Sequence, residues 1–278
     1  MSVESAVIPW LKASACGNDF LLIDGALIGS TLPGSSVAPA AIGEFTRRIC
    51  DRHEGVGADG VEWMLPHATA DVEIRLINAD GSAAEISGNG TRCVAAYLCA
   101  ERGKETLHIQ TGAGLKVCVL TARSDSEYEF EMAMGEAVVG EELTVASGGN
   151  ELEVRGIPVS IGNPHYVVFV NRFDENWQAQ AADIQRDSRF QHGVNVELVM
   201  PEGKHDLHVR FFERGVGETQ SSGTGSCAAA VAAMSTGRLQ SPVKVHAPGG
   251  TQIVRWESNQ VFLRGSARLV CRGEFFVR

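Results

Sequence analysis

Residues 222–236 read SGTGSCAAAVAAMST. From Thr224 to Thr236 nearly every side chain is small or apolar. A surface helix carries one apolar stripe and one polar face. This segment has no polar face, so it is predicted to be a helix enclosed on several sides. Strand signals dominate elsewhere, and a helix wrapped by sheet accounts for both. The Ser-Gly-Thr-Gly opening places a tight turn at the helix start. Free N–H groups and the positive end of the helix dipole make such a start an anion site.

The same arrangement occurs earlier. Residues 87–96 read SGNGTRCVAA, and Ser87 and Ser222 are 135 residues apart. A second pair lies upstream. Gly17-Asn18-Asp19-Phe20 and Gly162-Asn163-Pro164-His165 each lead into an apolar strand, with Asn18 and Asn163 145 residues apart. Two matched pairs in one order point to an internal duplication. The predicted product is two pseudo-symmetric domains facing each other across a cleft. Two helix N-termini at one cleft suit a carboxylate and stabilise negative charge developing on it. That is the environment needed for proton abstraction beside a carboxyl group.

The rest of the chain reads as short strands. Asp71–Asn78 alternates Val72, Ile74 and Leu76 with Glu73 and Arg75, a period of two. Similar runs occupy 107–111, 115–120, 127–133, 166–170, 194–200, 207–212, 243–247 and 260–263. Pro39–Arg52 is an amphipathic helix through Ile42, Phe45 and Ile49, and Thr91–Arg102 a further helix. Segments 31–39 and 146–150 read as surface loops.

Composition limits the function classes. The chain has 278 residues, room for two domains, and a formal net charge of −10. The acidic balance argues against a nucleic-acid binder, which would need a basic face. No apolar run approaches the roughly 18–20 residues of a membrane-spanning helix, and the N-terminus does not read as a signal peptide. The seven cysteines are odd in number, irregular in spacing and without a CxxC pair. Neither a disulfide framework nor a zinc site follows, and a reduced cytoplasmic protein is expected. His205 and His208, placed on one strand, would point to opposite faces and read as solvated surface rather than metal ligands. Asn89-Gly90-Thr91 fits a glycosylation sequon, discounted without a secretory signal.

Six stretches together resemble the diaminopimelate epimerases: CGNDFLLID (16–24), DRHEGVGADG (51–60), NADGSAAEISGNGTRC (78–93), SIGNPHYV (160–167), GVNVELV (193–199) and ERGVGETQSSGTGSCA (213–228). The resemblance runs nearly end to end. It implies an α+β fold of two pseudo-symmetric domains, each a mostly antiparallel β-sheet or barrel wrapped around a central α-helix. Residues 1–127 plus 267–278 would form one half and 128–266 the other. It implies epimerisation of LL- to meso-diaminopimelate with no cofactor and no metal, and a homodimer.

Carried over motif by motif, Asn18, Asn78, Asn163 and Asn195 correspond to substrate-binding asparagines. Glu213 and Arg214 help hold the distal amino-acid end. Gly88, Asn89, Gly223 and Thr224 are the helix starts that hold the reacting carboxylate. His165 and Glu213 correspond to groups that assist the catalytic thiols. Gly60 stands where some members have Gln.

The pattern breaks at the thiols. The family uses one cysteine to take the α-proton and another to deliver a proton to the opposite face. A thiol of pKa about 8.5, lowered further at a helix N-terminus, suits that task. Here both positions are serine, Ser87 and Ser222. Cys93 and Cys227 lie one or two turns into the helices and read as core residues. A serine hydroxyl is a far weaker acid and needs an adjacent base. Three explanations stay open: paired replacement that leaves an inactive enzyme, a lineage with altered chemistry, or a binding protein that has lost catalysis. Action on another amino acid, such as a hydroxyproline, is a further alternative.

Overall fold

The computed structural model describes residues 7–27, 39–147 and 152–277. The chain divides into two compact units, Met1–Met132 with Ser266–Arg278 and Ala133–Gly265.

In the first unit, strand Val7–Ala15 turns back at Cys16-Gly17, both with positive φ, into the antiparallel strand Asn18–Asp24. On its other side Val7–Ala15 pairs with the end of the long final strand Gln260–Phe276, from Val7 opposite Phe276 to Ser14 opposite Arg268. Asn18–Asp24 runs parallel to Gly60–Leu65, Phe20 opposite Gly60. Helix α1, Pro39–Cys50, lies in this connection and buries Phe45 and Ile49 against Trp63 and Val61. Gly60–Leu65 pairs antiparallel with Val72–Asn78, which runs parallel to Thr106–Thr111. The crossover carries helix α2, Gly88–Arg102. Gly114–Ser124 and Glu127–Glu136 continue the sheet antiparallel.

The second unit repeats this plan. Leu152–Ser160 turns at Gly162 into the antiparallel strand Pro164–Phe169, which runs parallel to Asn195–Glu202, His165 opposite Asn195. Helix α3, Trp177–Gln185, lies in the connection. Asn195–Glu202 pairs antiparallel with Asp206–Glu213, which runs parallel to Val243–Ala247, and the crossover is helix α4, Gly223–Ser235. Gly250–Glu257 and the start of Gln260–Phe276 follow antiparallel.

Each crossover helix is the centre of its unit. Cys227 to Ala233 of α4 are all wholly buried, against Leu207, Val209, Phe211, Val245, Val254 and Leu263. Alanine there lets the strands approach the helix axis, and added volume costs about 1–3 kcal/mol. Cys93 to Ala96 of α2 are equally enclosed. The α+β reading, strands folded about a central helix, therefore holds in each unit.

Differences in detail have local causes. The expected end at Leu263 is passed by thirteen residues, because the strand gains the new partner Val7–Ala15. Helix α3 and strand Gly60–Leu65 are not among the predicted elements. Helix α3 is short and anchored only by Trp177, Ala181 and Ile184. His205 lies in the turn before Asp206–Glu213 rather than on that strand. Most of the expected loop 31–39, and residues 148–150 of the other, lie outside the described residues. Ala146 and Ser147 of the latter belong to strand Leu143–Ser147.

Candidate active site

The two central helices begin alike. Ser87 and Ser222 are N-caps with extended backbone, φ −121° and −141°. Ser87 Oγ accepts from the Gly90 N–H at 3.0 Å, and Ser222 Oγ from the Gly225 N–H at 3.2 Å. Each serine thus satisfies one of the four free N–H groups of its helix, an interaction of about 1 kcal/mol.

Around the first start, Asn89 Nδ2 donates to Asn18 Oδ1 at 2.7 Å, and Asn18 Nδ2 donates to Asp59 Oδ2 at 3.0 Å. Arg92, fully buried, donates through Nη2 to Asn89 Oδ1 and lies 3.6 Å from Cys16 Sγ. Burial would raise the neighbouring Asp19. Hydrogen bonds and charge from Arg52 and Lys12 outweigh it and hold the carboxyl at about 2. Asn78 stands apart from this network, its side chain donating to Ser82 Oγ at 3.0 Å across a turn. The paired strands place it opposite Gly60.

Around the second start, Asn163 Nδ2 donates to Thr224 Oγ1 at 3.3 Å, and its Oδ1 meets His165 Nε2 at 2.9 Å. His165 Nδ1 lies 2.7 Å from Glu197 Oε1, with both side chains wholly buried. Burial pushes Glu197 up, and the adjacent imidazole opposes that rise. Asn195 Oδ1 accepts from the Arg214 N–H at 2.9 Å, which ties the Glu213-Arg214 turn to this strand. Glu213 is half-buried, whereas Arg214 is exposed and donates through Nη1 to the His192 carbonyl.

The expected residues therefore fall into groups. Asn18 and Asn89 join at the start of α2. Asn163, His165 and Thr224 join at the start of α4, while Asn195 and Arg214 meet beside them. Absent from the sequence reading are Glu62, Glu197 and Arg92. Glu62 and Glu197 lie in GVEWM and GVNVELV, strands where burial makes a charge costly, and Arg92 lies in helix α2. Cys93 and Cys227 are wholly buried, and burial pushes the Cys93 thiol up, as expected of core cysteines. Asn89 of the sequon is buried at the start of α2. Among the described residues no cluster of three metal-ligating side chains occurs, and no helix is long and apolar enough to cross a membrane.

Comparison with known proteins follows the same lines. The family model described as diaminopimelate epimerase matches residues 10–140 and 157–270. The diaminopimelate epimerase of Desulfitobacterium hafniense is 34% identical, covering 95% of this chain and 96% of its own. That of Desulforudis audaxviator is 36% identical, covering 95% and 98%. Among solved structures, a PhzF-family phenazine biosynthesis protein from Bacillus anthracis superposes with a TM-score of 0.71 at 17% identity, over 98% of this chain and 99% of that one. A hydroxyproline epimerase from Agrobacterium vitis, with bound trans-4-hydroxy-L-proline, gives 0.68 at 16% identity, over 97% and 91%. At such identities these two speak for the fold.

Proposed function

The chain belongs to the diaminopimelate epimerase family, and on that premise we propose how its residues invert diaminopimelate. The reaction converts the LL form to the meso form at one α-carbon and needs no cofactor. Inversion requires two acid–base groups, one on each face of that carbon. The α-proton leaves to one group, and the electron pair it releases is held by the substrate carboxylate as an enediolate. A second group then delivers a proton to the other face.

Ser87 and Ser222 stand at the two acid–base positions. The observation that carries this reading is their equivalence: each caps the central helix of its unit, at the same step of a repeated plan. Helix-start N–H groups at Gly88, Asn89, Gly223 and Thr224 would hold the reacting carboxylate and stabilise its developing charge. Asn18, Asn78, Asn163, Asn195, Glu213 and Arg214 would hold the substrate, Glu213 and Arg214 at its distal end. His165 and Glu213 would assist proton transfer.

A serine in this role is slow, because its alkoxide is far less accessible than a thiolate. Turnover is expected to be weak and to rise sharply when both serines become cysteines. The test is α-proton exchange of LL-diaminopimelate in deuterated water, followed for the chain and for Ser87→Cys/Ser222→Cys. A double variant without exchange or epimerisation would overturn the substrate assignment.

A second reading is a silent diaminopimelate-binding protein. It is favoured by the engagement of both hydroxyl oxygens as helix caps. Measurable turnover by the chain itself would exclude it. A cytoplasmic location, a homodimer and the absence of nucleic-acid or membrane partners complete the proposal. The seven free cysteines agree with a reducing compartment.

A further inference from the structure

Glu62 is a fully buried carboxyl with no hydrogen-bond partner for either oxygen among the described residues. It lies on strand Gly60–Leu65, beneath the start of α2. A Cβ on Gly90 would fall 1.9 Å from Glu62 Oε1, so only glycine leaves room for the carboxyl. Gly90 is the residue whose N–H the Ser87 cap accepts.

The second unit holds the counterpart. Glu197 is also fully buried, and a Cβ on Gly225 would fall 2.9 Å from its Oε1. Glu62 and Glu197, Gly90 and Gly225, and Ser87 and Ser222 all stand 135 residues apart. The parallel pairs fix the remaining equivalence: Phe20 opposite Gly60 matches His165 opposite Asn195. Phe20 thus takes the place of the imidazole that lies 2.7 Å from Glu197 Oε1. Glu62 keeps the position and lacks the partner.

We propose that Glu62 is a positioning residue of the Ser87 half-site, held as an uncharged acid so that the start of α2 stays free for the substrate carboxylate. The reasoning is electrostatic. The helix start attracts one anion through its N–H groups and dipole. An ionised carboxyl lodged at its third residue would compete for that field and repel a second carboxylate. A protonated carboxyl does neither.

The surroundings permit this state. Arg92, Cys16 and Asp19, of α2 and the adjoining turn and strand, act with Glu62 on the Cys93 thiol of α2. None forms an ion pair or hydrogen bond with Glu62 among those described. Burial alone raises its pKa, to about 8. The carboxylate placement rests on the function proposed above, whereas the protonation state does not.

The experiment has two arms, each comparing the chain with Glu62→Gln, an uncharged isostere. The first needs no ligand: urea unfolding from pH 5 to 9. A folded pKa raised from an ordinary 4.5 to about 8 gives stability that is full below pH 4.5 and lost as pH rises through 8. Relative to Glu62→Gln, the unfolding constant of the parent should grow about tenfold per pH unit up to pH 8, then level off. A constant ratio would overturn the proposal.

The second arm is calorimetric titration with LL-diaminopimelate. The parent should lose about fivefold in affinity, relative to Glu62→Gln, between pH 8 and 9. Ligand titration is common to both proteins and cancels in the ratio. Equal pH dependence of binding would overturn the positioning role. Binding by neither protein at any pH would overturn the substrate and the positioning role together, while the first arm still decides the charge of Glu62.

Discussion

His165 and Glu197 face each other at 2.7 Å with neither side chain exposed. Removing one partner leaves the other's polar atoms buried and uncompensated. His165→Leu is expected to cost about 3–5 kcal/mol of unfolding free energy, and His165→Leu/Glu197→Leu less than the two single changes combined. Urea denaturation of the four proteins in the cycle measures the coupling, and additivity would refute it.

The serine caps should show in stability. Ser87→Ala and Ser222→Ala each lose one satisfied N–H and are expected to cost about 1 kcal/mol. Denaturant midpoints give the values.

Cysteine at the same positions should separate stability from chemistry. A thiol is a weak hydrogen-bond acceptor, so Ser87→Cys/Ser222→Cys is expected to melt at a lower temperature than the parent. Its thiolate is far more accessible near neutral pH than the serine alkoxide, and α-proton exchange should rise by at least a hundredfold, at the low end of general acid–base effects. Calorimetry and deuterium incorporation on one preparation test both statements.

Gly90→Ala places a methyl group against Glu62 Oε1. Overpacking of this kind costs about 1–3 kcal/mol. The cost should shrink when Glu62→Ala is combined with it, because the colliding atoms are gone. An unchanged cost in the double variant would locate the strain elsewhere.

Asp19 predicts acid behaviour. Its folded pKa of about 2 lies below the ordinary 3.8, so its stabilisation is complete above pH 3.8 and lost as pH falls through 2. Arg52→Ala removes a guanidinium that bonds both Asp19 oxygens. The variant should therefore lose more stability relative to the parent at pH 6 than at pH 2, as thermal unfolding across that range would show.

The sequence made the central helices legible because burial on all sides leaves a distinctive run of small residues, as from Cys227 to Ala233. Asn18 and Asn163 were legible as matched turn residues. The register that sets Phe20 beside Gly60 and His165 beside Asn195 was not, because parallel pairing joins segments tens of residues apart and leaves no local period. Glu62 was hidden for a related reason. Within GVEWM its charge reads as the polar half of an alternating strand, and only the helix packed above it turns that face inward. Asn78 and Asn195 were legible as letters of a substrate pattern, whereas the bonds they make here, to Ser82 Oγ and from the Arg214 N–H, were not.

The final strand pairs with the first, Ile8 opposite Phe275. During synthesis, the first unit leaves the ribosome lacking its closing strand, which is made only after the intervening 133 residues of the second unit. At about 5–20 residues per second that wait is roughly 7 to 27 s. The second unit is one continuous stretch, Ala133–Gly265, which already includes the start of that strand. The half translated first is therefore the half that finishes folding last, and until then the edge of Val7–Ala15 is a place where chaperones, or a neighbouring nascent chain, can bind.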